Sequence, residues 1–113
     1  MTTKQVASMV AEIGLPYAYY EFPDNTELEP PFVSFLFTTS SDVYADDLNF
    51  VDKRTLVIEL YTAEKDFALE NTVREVLNSH NQTFTMDSAH LDSEQMFVTT
   101  YITEVILTDG EQN

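Results

Sequence analysis

The sequence predicts one α+β domain with the element order α-β-β-β-α-β-β, in which a mainly antiparallel sheet carries two helices on one face. Two segments have apolar residues at helical spacing, and five segments alternate or are rich in strand-favouring residues. The strands follow one another in runs, which is typical of α+β domains. The chain has 113 residues, of which 43% are apolar. This length suits a single domain over residues 1–113 with one core.

The first helix is predicted at the N-terminal end. Its apolar stripe has the spacing i, i+3, i+4 and i+7 and consists of Val6, Met9, Val10 and Ile13. Thr2 or Thr3 is the expected N-cap because either hydroxyl can accept a hydrogen bond from a free backbone amide. Gly14 follows the stripe, where a left-handed residue commonly ends a helix. The helix is therefore short and amphipathic.

Three strands are predicted next. Residues 17–22 are rich in tyrosine, and residues 32–39 form the most apolar segment and should lie inside the sheet. An acidic loop without periodicity is predicted from residue 40 to residue 51. Residues 53–62 then alternate, and one face of that strand carries Leu56, Ile58 and Leu60.

The second helix is predicted to start at Thr62 as the N-cap. Its apolar side consists of Leu69, Val73, Val76, Leu77 and His80. Glu70 and Arg74 are four residues apart, so we expect them to form an ion pair on the exposed side. His80 lies at the carboxyl end, where a cation suits the helix dipole.

Two strands complete the chain. Residues 82–86 are predicted as a strand, residues 87–95 as a polar connector, and residues 96–108 as a long alternating strand. Because this last strand is long for a small domain, part of it is expected to extend beyond the sheet and pair with another chain. Residues 109–113 are expected to be frayed.

The charge and composition exclude several classes of function. The net charge is −15, from 20 Asp and Glu against 5 Lys and Arg, so the chain should repel both phosphate backbones and anionic membranes. It has no cysteine, which excludes disulfides and thiolate chemistry and suits the cytoplasm. We expect no secretory signal and no membrane span because no apolar run is long enough.

No motif for catalysis is present. The chain has two glycines, too few for a glycine-rich phosphate loop, and it lacks a HExxH motif. One cluster has the composition of a metal site, but its spacing matches no known loop: Asp87, His90, Asp92 and Glu94. The carboxylate pairs Asp46–Asp47 and Glu27–Glu29 lack the asymmetry of an acid–base pair. We therefore expect no enzyme, no cofactor and no metal.

Several stretches resemble the tail terminator, or head–tail joining, proteins of long-tailed bacteriophages and prophages. They include "LPYAYYEF", "PPFVSFLF", "VYADDLNF", "LVIELYTAEKDFALENTVREVL" and "EQMFVTTYITEV". The most specific parts are Tyr44 to Asp47 and Leu60 to Thr62, followed by Lys65, Asp66 and Glu70. The family often has an Asn at the position of Asp47, so this loop is more acidic than is usual.

The resemblance implies an architectural role. Proteins of this family form a six-membered ring at the head-proximal end of the tail tube, stop its polymerisation and join the tail to the head connector. The implied partners are other copies of the chain, the tail tube protein and the connector or stopper protein. DNA passes through the ring without specific binding. The implied location is the virion neck, after assembly in the cytoplasm of the bacterial host.

The loop before the best strand has two interpretations. Tyr44 and Phe50 are large groups in a charged segment, and both could fold back as local anchors over the core. Alternatively, the loop is an assembly element in which Tyr44 is an anchor while Asp46 and Asp47 set the register against a neighbouring subunit.

Two other functions stay open beside the tail terminator. The first is a head-completion or stopper protein of the neck, one layer nearer the capsid. The second is an acidic DNA mimic or inhibitor that binds a basic host protein. A discrete ring would argue against the inhibitor.

Overall fold

The computed structural model describes residues 1–20, 28–40, 43–44 and 50–108. Helices and strands follow in the order α1 Thr3–Ala11, β1 Tyr17–Tyr19, β2 Phe32–Ser40, β3 Val43–Tyr44, β4 Phe50–Thr62, α2 Phe67–Ser79, β5 Phe84–Leu91 and β6 Met96–Leu107. The predicted α+β class and element order are confirmed, with β3 as a two-residue addition. Residues 109–113, predicted to fray, lie outside the described residues.

The sheet has the strand order β1-β2-β4-β6-β5, and β3 pairs with β4. Only the pairing of β1 with β2 is parallel, so the prediction of a mainly antiparallel sheet is confirmed. β6 pairs with β4 from Phe97 to Leu107 and with β5 on its other side. The prediction that part of β6 extends beyond the sheet is wrong on the β4 side, where pairing reaches Leu107. On the β5 side the pairing ends at Thr103, so among the described strands residues 104–107 have a neighbour on one side only.

Both helices pack on one face of the sheet, as predicted. The N-cap of α1 is Thr2, whose side chain accepts from the Gln5 amide while the Gln5 side chain accepts from the Thr2 amide. Gly14 has φ +87°, the left-handed conformation expected after this helix. The core between helices and sheet consists of Val6, Met9, Val10, Ile13, Val33, Phe35, Leu56, Ile58, Leu60, Val73, Leu77, Tyr101, Val105 and Leu107.

The second helix starts later than predicted. Its N-cap is Asp66, whose carboxylate accepts from the Leu69 amide at 3.0 Å, while Thr62 is buried at the end of β4. The prediction of Thr62 as N-cap is wrong, since four residues separate Thr62 from the helix and Asp66 caps its first turn.

Glu70 is buried rather than exposed, which corrects the predicted surface pair with Arg74. Only 6% of its side chain is exposed, and its Oε2 lies 2.8 Å from Lys65 Nζ. Lys65 also donates to Ser88 Oγ at 2.9 Å, and the Tyr101 hydroxyl donates to the Glu70 carbonyl at 2.8 Å. These contacts hold the start of α2 against β5 and β6. Burial is the main cause that raises the pKa of Tyr101, so its phenol stays a donor.

The fifth strand extends five residues beyond its predicted end, into the segment 87–91 that was predicted as connector. Residues 87–91 are mostly polar and mostly exposed, but each one pairs with β6. Because β5 is an edge strand, β6 satisfies the backbone groups on one of its sides, and the strand forms without apolar alternation. In the described part of the chain, no helix combines the length and apolar character needed to cross a bilayer.

Candidate assembly surface

The predicted assembly loop is partly a β-ladder. Val43 pairs with Val51 and Tyr44 pairs with Phe50, so the predicted loop of residues 40–51 contains β3 and the start of β4. The backbone therefore brings Tyr44 and Phe50 opposite each other. Asp46 and Asp47 lie outside the described residues.

This ladder extends past the end of the main sheet. β4 pairs with β6 only from Asp52 onwards, where it meets Leu107 at the end of β6. The residues before it, Phe50 and Val51, pair with β3. The hairpin of β3 and β4 is thus placed at the margin of the sheet.

The residues with the composition of a metal site, Asp87, His90, Asp92 and Glu94, do not converge. His90 Nδ1 lies 2.6 Å from Asp92 Oδ1, but Asp87 is an odd number of residues from His90 on β5 and points to the other side of the sheet. Within 1–20, 28–40, 43–44 and 50–108, no three potential ligands come together. Of the carboxylate pairs, Glu27, Asp46 and Asp47 lie outside these ranges.

His80 is the C-cap of α2, as predicted from its position. Its Nε2 also lies 2.9 Å from Oε2 of Glu12, the C-cap of α1. The side chain therefore joins the ends of the two helices, which is a structural role.

The sheet face opposite the helices carries no helix of the described residues, and we call it the open face. Register and alternation place residues from four strands on it. It includes Ser34, Leu36, Lys53, Thr55, Val57, Glu59, Tyr61, Thr85, Asp87, Val98, Thr100, Ile102, Glu104 and Ile106. Ile102 and Ile106 are 43% and 53% exposed.

A carboxylate lies at the centre of the open face. Glu59 Oε1 accepts from Ser34 Oγ at 3.2 Å and from the Tyr61 hydroxyl at 3.3 Å. The Tyr61 ring stacks on Phe32 with centroids 4.9 Å apart. Burial, followed by the nearby Glu59 charge, raises the pKa of Tyr61. The phenol therefore remains protonated at neutral pH and keeps Glu59 in place.

The sheet has two edge strands, β1 and β5. Tyr17 and Tyr19 of β1 and the following Tyr20 are 42%, 51% and 63% exposed. Tyr19 packs edge-on against Phe35 with centroids 5.3 Å apart. Neither edge has a further strand among the described residues, so backbone donors and acceptors are available there for another chain.

The open face was not predicted from the sequence. Val57, Glu59 and Tyr61 lie on one side of β4, and no local pattern connects them with Ile102 and Ile106. The signal was present in the alternation, since these residues are out of phase with Leu56 and Ile58. The register that brings β4 beside β6 was needed to join them.

Comparison with known proteins gives a likeness of fold. No protein-family model and no curated protein matches the sequence. A chain in the structure described as "Virion of native gene transfer agent (GTA) particle" matches with a TM-score of 0.59. The chain shares the fold of this virion component. The match covers 92% of this chain and 87% of the virion chain at 13% identity, so the likeness is one of fold.

Proposed function

We propose that this chain is a structural protein of a phage-type virion, and specifically the tail terminator. In this role, copies form a ring at the head-proximal end of the tail tube, stop its polymerisation and join the tail to the head connector. The observation that carries the proposal is the fold shared with the gene transfer agent virion chain over nearly the full length of both. The sequence resemblance to tail terminators supports the finer assignment.

The surfaces described above suit the assembly of a ring. A closed ring needs two different complementary surfaces on each subunit. The edge strands β1 and β5 and the marginal hairpin of β3 and β4 are separate surfaces that could fill these roles. The net charge of −15 suits a DNA passage because it repels phosphates.

Native mass spectrometry of the purified chain, at low and raised salt and with magnesium, tests this proposal. We expect a discrete closed oligomer, and the resemblance to tail terminators implies a hexamer. It should become more populated as salt screens the repulsion between acidic subunits. Binding to assembled tail tubes would favour the terminator, and binding to the connector would favour the stopper. A monomer under every condition that binds neither, but forms a one-to-one complex with a basic host protein, would overturn it.

The loop hypothesis gives a second prediction. Replacing both Asp46 and Asp47 with alanine should reduce the closed oligomer about tenfold or more, because rim charges mainly set register and association. The melting temperature should change little. The matched control replaces the exposed Glu64 and Glu75 with alanine, which removes the same charge from the region of the second helix. Oligomerisation of the Asp46 and Asp47 variant at the level of the control would refute the loop hypothesis.

A further inference from the structure

The strongest unassigned feature is the half of the open face that is centred on β6, between its neighbours β4 and β5. On an antiparallel sheet with one face in water, solvent-facing positions are normally polar. Here β6 instead places Ile102 and Ile106 in solvent, 43% and 53% exposed, on either side of Glu104. Val57 lies beside Ile102 in the register. Neighbouring exposed apolar groups of this kind are typical of interaction surfaces.

Carboxylates flank these isoleucines. Glu59 and Asp87 both pair in register with Thr100, on its two sides, which puts them in one row across the sheet. Strands are about 4.8 Å apart, so these two carboxylates originate about 10 Å from each other. Ile102 lies in the next row of the face, about 7 Å along β6. Ile102 therefore lies between the acidic row of Glu59 and Asp87 and the next carboxylate, Glu104.

The cations of the chain do not neutralise this row. Glu104 pairs with Lys53 at 3.3 Å, but Glu59 accepts from two neutral hydroxyls. Asp87 has no cationic partner within the described residues. A ligand that carries apolar groups and one or two cations would therefore complement this surface, because its apolar groups would contact the isoleucines and its cations the carboxylates.

A second copy of the chain is a poor occupant. It carries 20 acidic against 5 basic residues, and Lys53 and Lys65 are already engaged in ion pairs. If the open faces of two copies packed together, the Glu59 and Asp87 carboxylates of one copy would lie near those of the other, which is unfavourable. Nucleic acid is repelled for the same reason.

We propose that this half of the open face, with Ile102 and Ile106 beside Glu59 and Asp87, is a docking site for a different protein whose surface combines apolar and basic side chains. The site uses side chains on a face of the sheet, whereas ring assembly was assigned to the backbone edges of β1 and β5 and to the hairpin of β3 and β4. The two meet at β5, which carries Asp87. It does not depend on ring formation.

The test is a heteronuclear NMR titration with a blocked peptide that alternates isoleucine and arginine. We expect saturable shift changes centred on Val57, Thr100, Ile102 and Ile106. Replacing Glu59 with glutamine and Asp87 with asparagine should weaken binding about tenfold, which corresponds to about 1.4 kcal/mol. The control variant replaces the exposed Glu64 and Glu75 with glutamine and should bind as the wild type does. A peptide with glutamine in place of arginine should bind at least tenfold more weakly.

A second variant separates the apolar contribution from the charge. Replacing Ile102 and Ile106 with threonine keeps strand-favouring residues and should also weaken binding about tenfold, since each buried aliphatic side chain contributes. Three outcomes would overturn the proposal. They are shift changes spread over all acidic surfaces, equal weakening by both pairs of acid substitutions, and concentration-dependent shifts on this face without peptide, which would identify a second copy as the occupant.

Discussion

Replacing Lys65 with methionine should lower the free energy of unfolding by about 3 kcal/mol, because it leaves the buried Glu70 carboxylate without its cation. Only 6% of the Glu70 side chain is exposed, and Lys65 Nζ lies 2.8 Å from it. The same change removes the hydrogen bond from Lys65 to Ser88 and the contact of its ammonium with the Phe67 ring, 5.3 Å from the centroid. Urea unfolding followed by circular dichroism measures the loss.

The matched control is the same substitution at Lys53. Its pair with Glu104 is solvent-exposed, with 37% and 54% of the two side chains accessible, so its loss should cost about 1 kcal/mol or less. A double variant with methionine at Lys65 and leucine at Glu70 should recover most of the stability, because apolar pairs often replace buried ion pairs without loss. Equal losses for Lys65 and Lys53 would show that Glu70 is solvated.

Replacing Ile58 with alanine should destabilise the fold by about 3 kcal/mol, through lost burial and the cavity that remains. Ile58 is 1% exposed, and its register neighbours are Phe35 and Tyr101. The same change at Ile106 on the open face should cost about 1 kcal/mol or less, mainly from the weaker strand preference of alanine. The two substitutions are chemically identical and lie on paired strands. The difference between their losses of stability therefore shows which face of the sheet is packed against other residues.

Chemical unfolding at several protein concentrations measures both variants. The loss at Ile58 should be independent of concentration. If Ile106 costs as much as Ile58, the open face is covered in the free protein, and the docking site proposed there would not exist.

The candidate site could be predicted only in part. Tyr44 and Phe50 were identified from their unusual position in a charged loop, and the backbone places them opposite each other. That the loop continues β2 as a ladder along β4 was not predicted, because it depends on pairing and the local pattern has no alternation. The open face was missed for a related reason, since its members come from strands distant in sequence.

Local patterns by themselves determined the α+β class, the order of the elements, the position of α1 with Thr2 and Gly14, and the buried side of β4. Each of these follows from a period or a cap within a few residues. Only the tertiary structure decided where β4 and α2 begin and where β5 ends. Pairing with β3 extends β4 back to Phe50, and pairing with β6 extends β5 to Leu91. The end of β4 at Thr62 agrees with the prediction, but α2 starts only after Asp66. Likewise, Glu70 is buried because Lys65 and the sheet surround it, which no local spacing can specify.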